Sequence, residues 1–197
     1  MVHMAKSSRS ETEKHRREII GAASRLLREQ GESGLSVQKV MGEVGLTHGG
    51  FYKHFSSKDQ LMDLAAEEAF SELIGVMQSV LESSTNKNEA WDKLVQAYLS
   101  GEHREDLAGG CANTALATES ARAGNGSGMR SAYVHGVTKT LDALKPYQND
   151  ADSSESEQER LQSLLVLVGA LTLSRATAGT ELSDRVASAA KTLLLHS

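Results

Sequence analysis

The chain has 197 residues, 39% of them hydrophobic, enough for a core of one large domain or of a small domain joined to a larger one, and too apolar for wholesale disorder. A single proline beside plentiful Ala, Leu, Glu and Ser favours helices over sheets. One cysteine excludes an internal disulfide and fits a reducing cytoplasm, and a formal net charge of −5, taken alone, argues against a polyanionic partner. That charge is unevenly placed. Residues 1–60 hold ten Lys/Arg against seven Asp/Glu, while the remainder holds eleven against nineteen. A mildly basic head on an acidic body fits local contact with a phosphate backbone. The opening "MVHMAKSSRS" lacks the apolar run of a secretory signal, and residues 1–3 read as an added tag ahead of Met4. The longest apolar block, residues 164–173, is too short to span a bilayer.

In chain order, residues 1–11 read as an arm without structure. The first helix is expected from about Thr12 to Gln30, with Ile19, Ile20, Ala23, Leu26 and Leu27 on one face and Gly31 as its stop. Ser36 caps a short helix whose inward face is Val37, Val40, Met41 and Val44, and Gly45 supplies the turn after it. Thr47 is placed to cap a third helix running to Lys53 or His54. Ser57 with Gln60 reads as a capping box opening a fourth that continues to about Leu81. Helix, helix, glycine turn and short helix is the layout of a helix-turn-helix domain, here residues 12–58, whose second motif helix enters the major groove. Phe51 and Phe55 read as core. Tyr52, His54 and Lys58 can donate to phosphates, and Gly49 and Gly50 let the backbone come close to DNA.

The run "LSVQKVMGEVGLTHGGFYKHFSSKDQL" (35–61) resembles the DNA-binding signature of the TetR/AcrR family of bacterial transcriptional regulators. The likeness rests on the Ser36-Val37 helix start, the Gly45-Leu46-Thr47 turn, Gly50, "FYKHF", and Lys58 ahead of a leucine, and it covers roughly the first 65 residues. It implies a homodimer that binds a palindromic double-stranded operator and a small effector held in the C-terminal helices. Carried across by position, Ser36, Thr47, Tyr52, His54 and Lys58 would contact phosphates. Gln38, His48, Gly49, Gly50 and Lys53 would lie nearest the bases. Met41-Gly42 departs from the usual Ile-Ala.

Residues 59–197 form the expected effector-binding and dimerisation domain. A helix capped by Asn88 and ended by Gly101 carries Trp91, Leu94, Val95, Tyr98 and Leu99. Another runs from Gly110-Cys111 to the break "GNGSG" (124–128), and a third carries Met129, Tyr133, Val137, Leu141 and Leu144 as far as Pro146. "YQNDADSSESEQE" reads as a polar linker. Two further helices, about Leu161–Ala178 and Ser183–Leu195, look like a dimer seam built on Leu164, Val168, Leu171, Arg175, Val186, Ala190 and Leu194, paired with their symmetry mates as a four-helix bundle.

Cys111 has two open readings, a sensor thiol activated at a helix start or a small buried hydrophobe. Met77, Trp91, Tyr98, Met129, Tyr133 and His135 are candidates for a pocket wall or for plain packing. His103 and His135 stand in no metal-binding spacing, and no cofactor or catalytic constellation is implied. The expectation is an all-α, ligand-responsive repressor and not an enzyme. A thiol-based redox or electrophile regulator using Cys111 is the alternative, and a cysteine-dependent enzyme stands behind both.

Overall fold

The computed structural model describes residues 2–148 and 154–195, with side chains from residue 10 onward. Its elements are α1 (Val2–Gly34), α2 (Val37–Glu43), a 3-10 segment (His48–Lys53), α3 (Lys58–Glu82), α4 (Lys87–Tyr98) and α5 (Gly101–Glu105). There follow α6 (Ala112–Ala115), α7 (Ala117–Arg122), α8 (Gly128–Leu144), a 3-10 turn (Lys145–Tyr147), α9 (Ser154–Ala176) and α10 (Glu181–Leu195). The described residues contain no strand. The fold is all-α.

α1 reaches back to Val2, where an arm without structure was expected over residues 1–11. No proline or glycine interrupts residues 2–20, and extending an existing helix adds one hydrogen bond per residue fixed. Gly31, at φ 68°, breaks the regular helix where the sequence places its stop. Ser36 caps α2, its hydroxyl accepting from Lys39 N–H at 3.2 Å, and Gly45 takes φ 70° in the turn that follows. Three cap assignments need correction. Thr47 makes no side-chain cap, and the segment it precedes is a 3-10 turn, too short to require one. Asn86, not Asn88, caps α4, and Gly101 opens α5 behind the Ser100 cap instead of closing α4. The expected helix after Cys111 is split at Leu116 into α6 and α7, and α9 starts at Ser154, so the expected linker contributes its second half to a helix. Residues 149–153 of that linker lie outside the described residues.

Three apolar clusters hold these helices. The first joins Ile19, Leu26, Leu27, Val40, Met41, Phe51 and Phe55 of the head to Leu61, Ala112, Leu116, Met129 and Ala132 of the body. Residues 12–58 and 59–197 therefore share one core, and α3, which opens the second segment, packs against both α1 and α8. The second gathers Val95, Tyr98, Cys111, Leu167, Leu171 and Ala190, and the third Met77, Leu94, Leu144, Tyr147 and Leu164. α3 and α8 pack closely enough that a Cβ at Gly136 would enter the Phe70 ring.

Candidate nucleic-acid interface and internal cavity

The apolar side of α2 and of the 3-10 segment is wholly used by the core, with Val40, Met41 and Phe51 each 0% exposed. Phe51 stacks on Phe55 at 5.4 Å, and the Arg16 guanidinium lies over Phe55 at 5.3 Å. With that side fixed, Ser36, Gln38, Lys39, Thr47, His48, Gly49, Tyr52 and Lys53 all face outward. Tyr52 is 69% exposed, the most exposed of the large apolar side chains. A Cβ at Gly49 would meet nothing within 4 Å, so nothing inside the chain requires glycine there.

Two expected phosphate contacts are less free. Lys58 is half-buried and donates to the Glu32 carbonyl at 3.4 Å, tying α3 to the end of α1. His54 is half-buried, with Nδ1 unpartnered and its ring 6.4 Å from His15. Burial first, then the charges of His15, Arg16 and Lys53, holds its pKa below the ordinary 6.5. Lys39, whose ammonium reaches Gln30, and the His15–Arg16 pair were absent from the sequence reading of this surface. Lys39 follows Gln38 on an exposed helix face, which is the signal that could have found it.

Within the body a buried cavity of about 20 Å³ is lined by Leu73, Met77, Leu94, Tyr98, Asn113, Thr140, Leu144, Leu164 and Leu167. Helices α3, α4, α6, α8 and α9 meet there. Of the expected pocket residues, Met77 and Tyr98 are in the wall. Cys111 sits behind it, 1% exposed, with the Tyr98 hydroxyl donating to Sγ at 2.9 Å. The Tyr133 hydroxyl donates to the Asn113 carbonyl at 2.8 Å and so orients α6. Trp91 is structural, its indole N–H bonded to the Leu194 carbonyl at 3.0 Å. Met129 lies in the apolar cluster that joins head and body, and His135 is exposed. Asn113 and Thr140 went unnoticed in the sequence, because an Asn and a Thr inside helical runs look like surface residues.

The expected seam residues also divide. Leu164, Leu171 and Ala190 are buried inside the single chain at 7%, 1% and 4% exposure, so their side chains belong to the core. Leu164 lines the cavity. Arg175 turns inward and donates to the carbonyls of Arg104, His103 and Asp106, neutralising the C-terminal end of α5. Val168, Val186 and Leu194 are half-buried. The outward apolar side chains of α9 and α10 are instead Leu161, Leu165, Leu173, Leu182 and Leu193, from 39% to 64% exposed.

A family model described as bacterial regulatory proteins, tetR family, matches residues 19–70, the segment that builds this outward surface. Residues 19–70 thus form a DNA-binding head of the TetR-family type. A sequence relative is the HTH-type transcriptional repressor KstR2 of Mycolicibacterium smegmatis, 26% identical over 102 residues, or 51% of this chain and 50% of that protein. The match thus spans about half the length of that relative. Among solved structures, reduced NemR of E. coli superposes with a TM-score of 0.74 at 18% identity, covering 90% of this chain and 95% of that one. A TetR-family regulator from Cytophaga hutchinsonii gives 0.75 at 17% identity, covering 94% and 96%. At these identities the structures establish that the TetR-type fold extends through the body. No helix among the described residues is long and apolar enough to cross a membrane, and no three His, Cys, Asp or Glu side chains converge as for a metal ion.

Proposed function

We propose that this chain is a homodimeric transcriptional repressor of the TetR family, acting in the bacterial cytoplasm, that leaves a palindromic operator when a small molecule enters its helical body. The observation that carries the reading is the outward row Gln38, His48, Tyr52 and Lys53, set on a buried apolar underside and given no side-chain hydrogen bond or ion pair by the rest of the described residues. His48 and Lys53 are assigned to base edges with Gln38, and Thr47, Tyr52 and Ser36 to phosphates. Gly49 and Gly50 leave room for the duplex beside the backbone. His54 and Lys58 support this surface from within the head and reach phosphates at its margin.

Dimerisation is assigned to the apolar face of α9 and α10, where Leu161, Leu165, Leu173, Leu182 and Leu193 otherwise stand in water. Two heads so joined address half-sites one helical turn apart, about 34–36 Å. Coupling follows from the shared core. Leu73 and Met77 on α3 are among the cavity walls, and the same helix carries Leu61 and Ala65 in the apolar cluster that holds Phe51 and Phe55. A small rotation of α3 then changes the separation of the two heads.

The test is selection of bound fragments from bacterial genomic DNA, followed by fluorescence anisotropy on the enriched site. The expected result is an inverted repeat with one-turn half-site spacing, bound by two chains and weakened by Lys53→Ala. Enrichment of no sequence, or tight binding by a single chain, would overturn the reading.

A further inference from the structure

Basic and titratable side chains meet where α1 passes the end of the 3-10 segment. His15 and Arg16 come from α1, Lys53 is the last residue of the segment, and His54 follows it. The rings of His15 and His54 lie 6.4 Å apart, edge to face, and the Arg16 guanidinium lies over Phe55 at 5.3 Å. Lys53 acts on His54 together with those two α1 residues, and Glu13 is the one carboxylate among the described residues that does so. The side chains of His15, Arg16 and Lys53 have no hydrogen bond or ion pair among the described residues. Stacking on Phe55 occupies a face of the Arg16 guanidinium and leaves its in-plane N–H donors for an acceptor from outside. His54 is suited to the same acceptor. Its Nδ1 is enclosed without a partner, and a proton there would be a buried donor with no acceptor, so the ring proton belongs on Nε2. Arg17 and Arg25 are placed differently, in a surface groove that they line with Glu18 and Glu43.

We propose that α1 supplies its own contact to the DNA backbone, Arg16 with His15 and His54 holding one phosphate at the edge of each half-site. The inference rests on the DNA-binding reading above and adds a helix to the surface that the reading uses. The position follows from the chain, since Lys53 faces outward and the cluster begins at the next residue, so a duplex lying against Lys53 passes Arg16. The occupant is an anion because the cluster is short of negative charge. His54 is held below the ordinary pKa of 6.5 first by burial and then by His15, Arg16 and Lys53, with Glu13 alone opposing them. A planar guanidinium already stacked in place suits a phosphate, which it meets with two parallel N–H donors. The contact carries no sequence information. It sets the seating of the 3-10 segment in the groove, because Arg16 rests on Phe55 and Phe55 stacks on the buried Phe51 at 5.4 Å.

The experiment measures operator and random-duplex binding of the full chain by fluorescence anisotropy across a salt series. Arg16→Gln should weaken both duplexes about tenfold and lower the salt slope by about 1 per protomer. Arg17→Gln removes the same charge one position along α1 and should leave the slope unchanged. Arg16→Lys keeps the charge but not the planar fork, so it should keep the slope and lose part of the affinity. Changing the DNA tests the contact without touching the fold of the head. Neutral methylphosphonates placed one at a time should reveal a position in each half-site that weakens the unmodified chain and leaves Arg16→Gln no weaker than before. Equal effects of Arg16→Gln and Arg17→Gln would reduce the result to net charge and overturn the contact. Additive losses from Arg16→Gln and every methylphosphonate would overturn it as well. An unmodified chain that binds its operator, with Arg16→Gln at full strength, refutes the α1 contact alone. An unmodified chain that binds no duplex refutes the DNA-binding reading itself.

Discussion

Tyr52 and Lys53 project from the 3-10 segment into solvent, whereas Lys58 is held against the Glu32 carbonyl, and this difference sets what each substitution should do. Lys53→Ala and His48→Ala should change the ranking among operator variants more than they change binding to random DNA. Equal losses on every sequence would demote both residues to backbone contacts. Lys58→Ala should weaken specific and random DNA alike and lower the salt slope by roughly 1. A second residue-scale effect concerns His103, which is held below the ordinary histidine pKa of 6.5 chiefly by burial, with Arg175 adding to the shift. Its Nδ1–H donates to the Tyr98 carbonyl at 2.7 Å, a bond that favours the protonated ring and offsets the effect of burial only in part. A depressed histidine gives its full stability above the unfolded pKa and loses it as pH falls through the lower folded value. His54 is shifted in the same direction, again first by burial. Urea melts should therefore show lower stability at pH 5.5 than at pH 7.5, a window above ordinary carboxylate titration. His103→Gln should flatten that dependence, and an unchanged slope would remove His103 from the account. Cys111, buried under the Tyr98 hydroxyl, should react slowly with a maleimide in the native chain. Fast modification accompanied by release of operator would revive the thiol-sensing alternative.

Among the elements, the turn between α2 and the 3-10 segment depends on Gly45 at φ 70°, with nothing within 4 Å of a Cβ built there. Gly45→Ala should therefore carry a backbone penalty alone, roughly 1–2 kcal/mol, and Gly45→Asn less. Chemical denaturation measures both, and equal stability of the Ala and Gly forms would refute the turn's dependence on glycine. Arg28 shows how α1 is joined to the body. It is 7% exposed and donates to the Ser24 carbonyl, to the Gly110 carbonyl at 3.2 Å and to the Glu72 carboxylate. One side chain thus bridges the head, α3 and the loop that leads into α6. Arg28→Met should destabilise the chain by roughly 2 kcal/mol, since charge-assisted hydrogen bonds exceed neutral ones and Gly110 loses a buried donor. Hydrogen exchange should quicken at residues 110–116 as well as in α1. Loosening confined to α1 would show that the bridge carries no communication.

For the whole molecule, the decisive distinction on α9 and α10 lies between leucines already used by the core and those left outside it. Leu165 and Leu193 are each 64% exposed, while Leu171 is 1% exposed. Leu165→Glu with Leu193→Glu should leave the chain folded and turn it monomeric by sedimentation, with operator binding collapsing because one head reaches only one half-site. Leu171→Glu should unfold the protein instead, since an unpaired carboxylate would be buried in the second apolar cluster. A double variant that remains dimeric would move the interface to another face.

Local chemistry alone determined most of the head. The apolar spacing of Ile19 to Leu27, the Ser36 cap, the glycine at 45 and the Ser57 opening of α3 act within a few residues of one another, so the sequence states them directly. The outward row from Gln38 to Lys53 was legible for the same reason, because Phe51 and Phe55 show which side is inward. The body was legible only as helices. Whether Leu164, Leu171 or Arg175 faces a partner chain or its own core depends on which helices lie against α9, and an apolar face reads alike in both cases. The cavity was decided wholly by tertiary structure, since Asn113 and Thr140 become a polar pair only when α6 and α8 bring residues 27 positions apart into contact. Periodicity records what a helix hides, and packing alone assigns what it is hidden against.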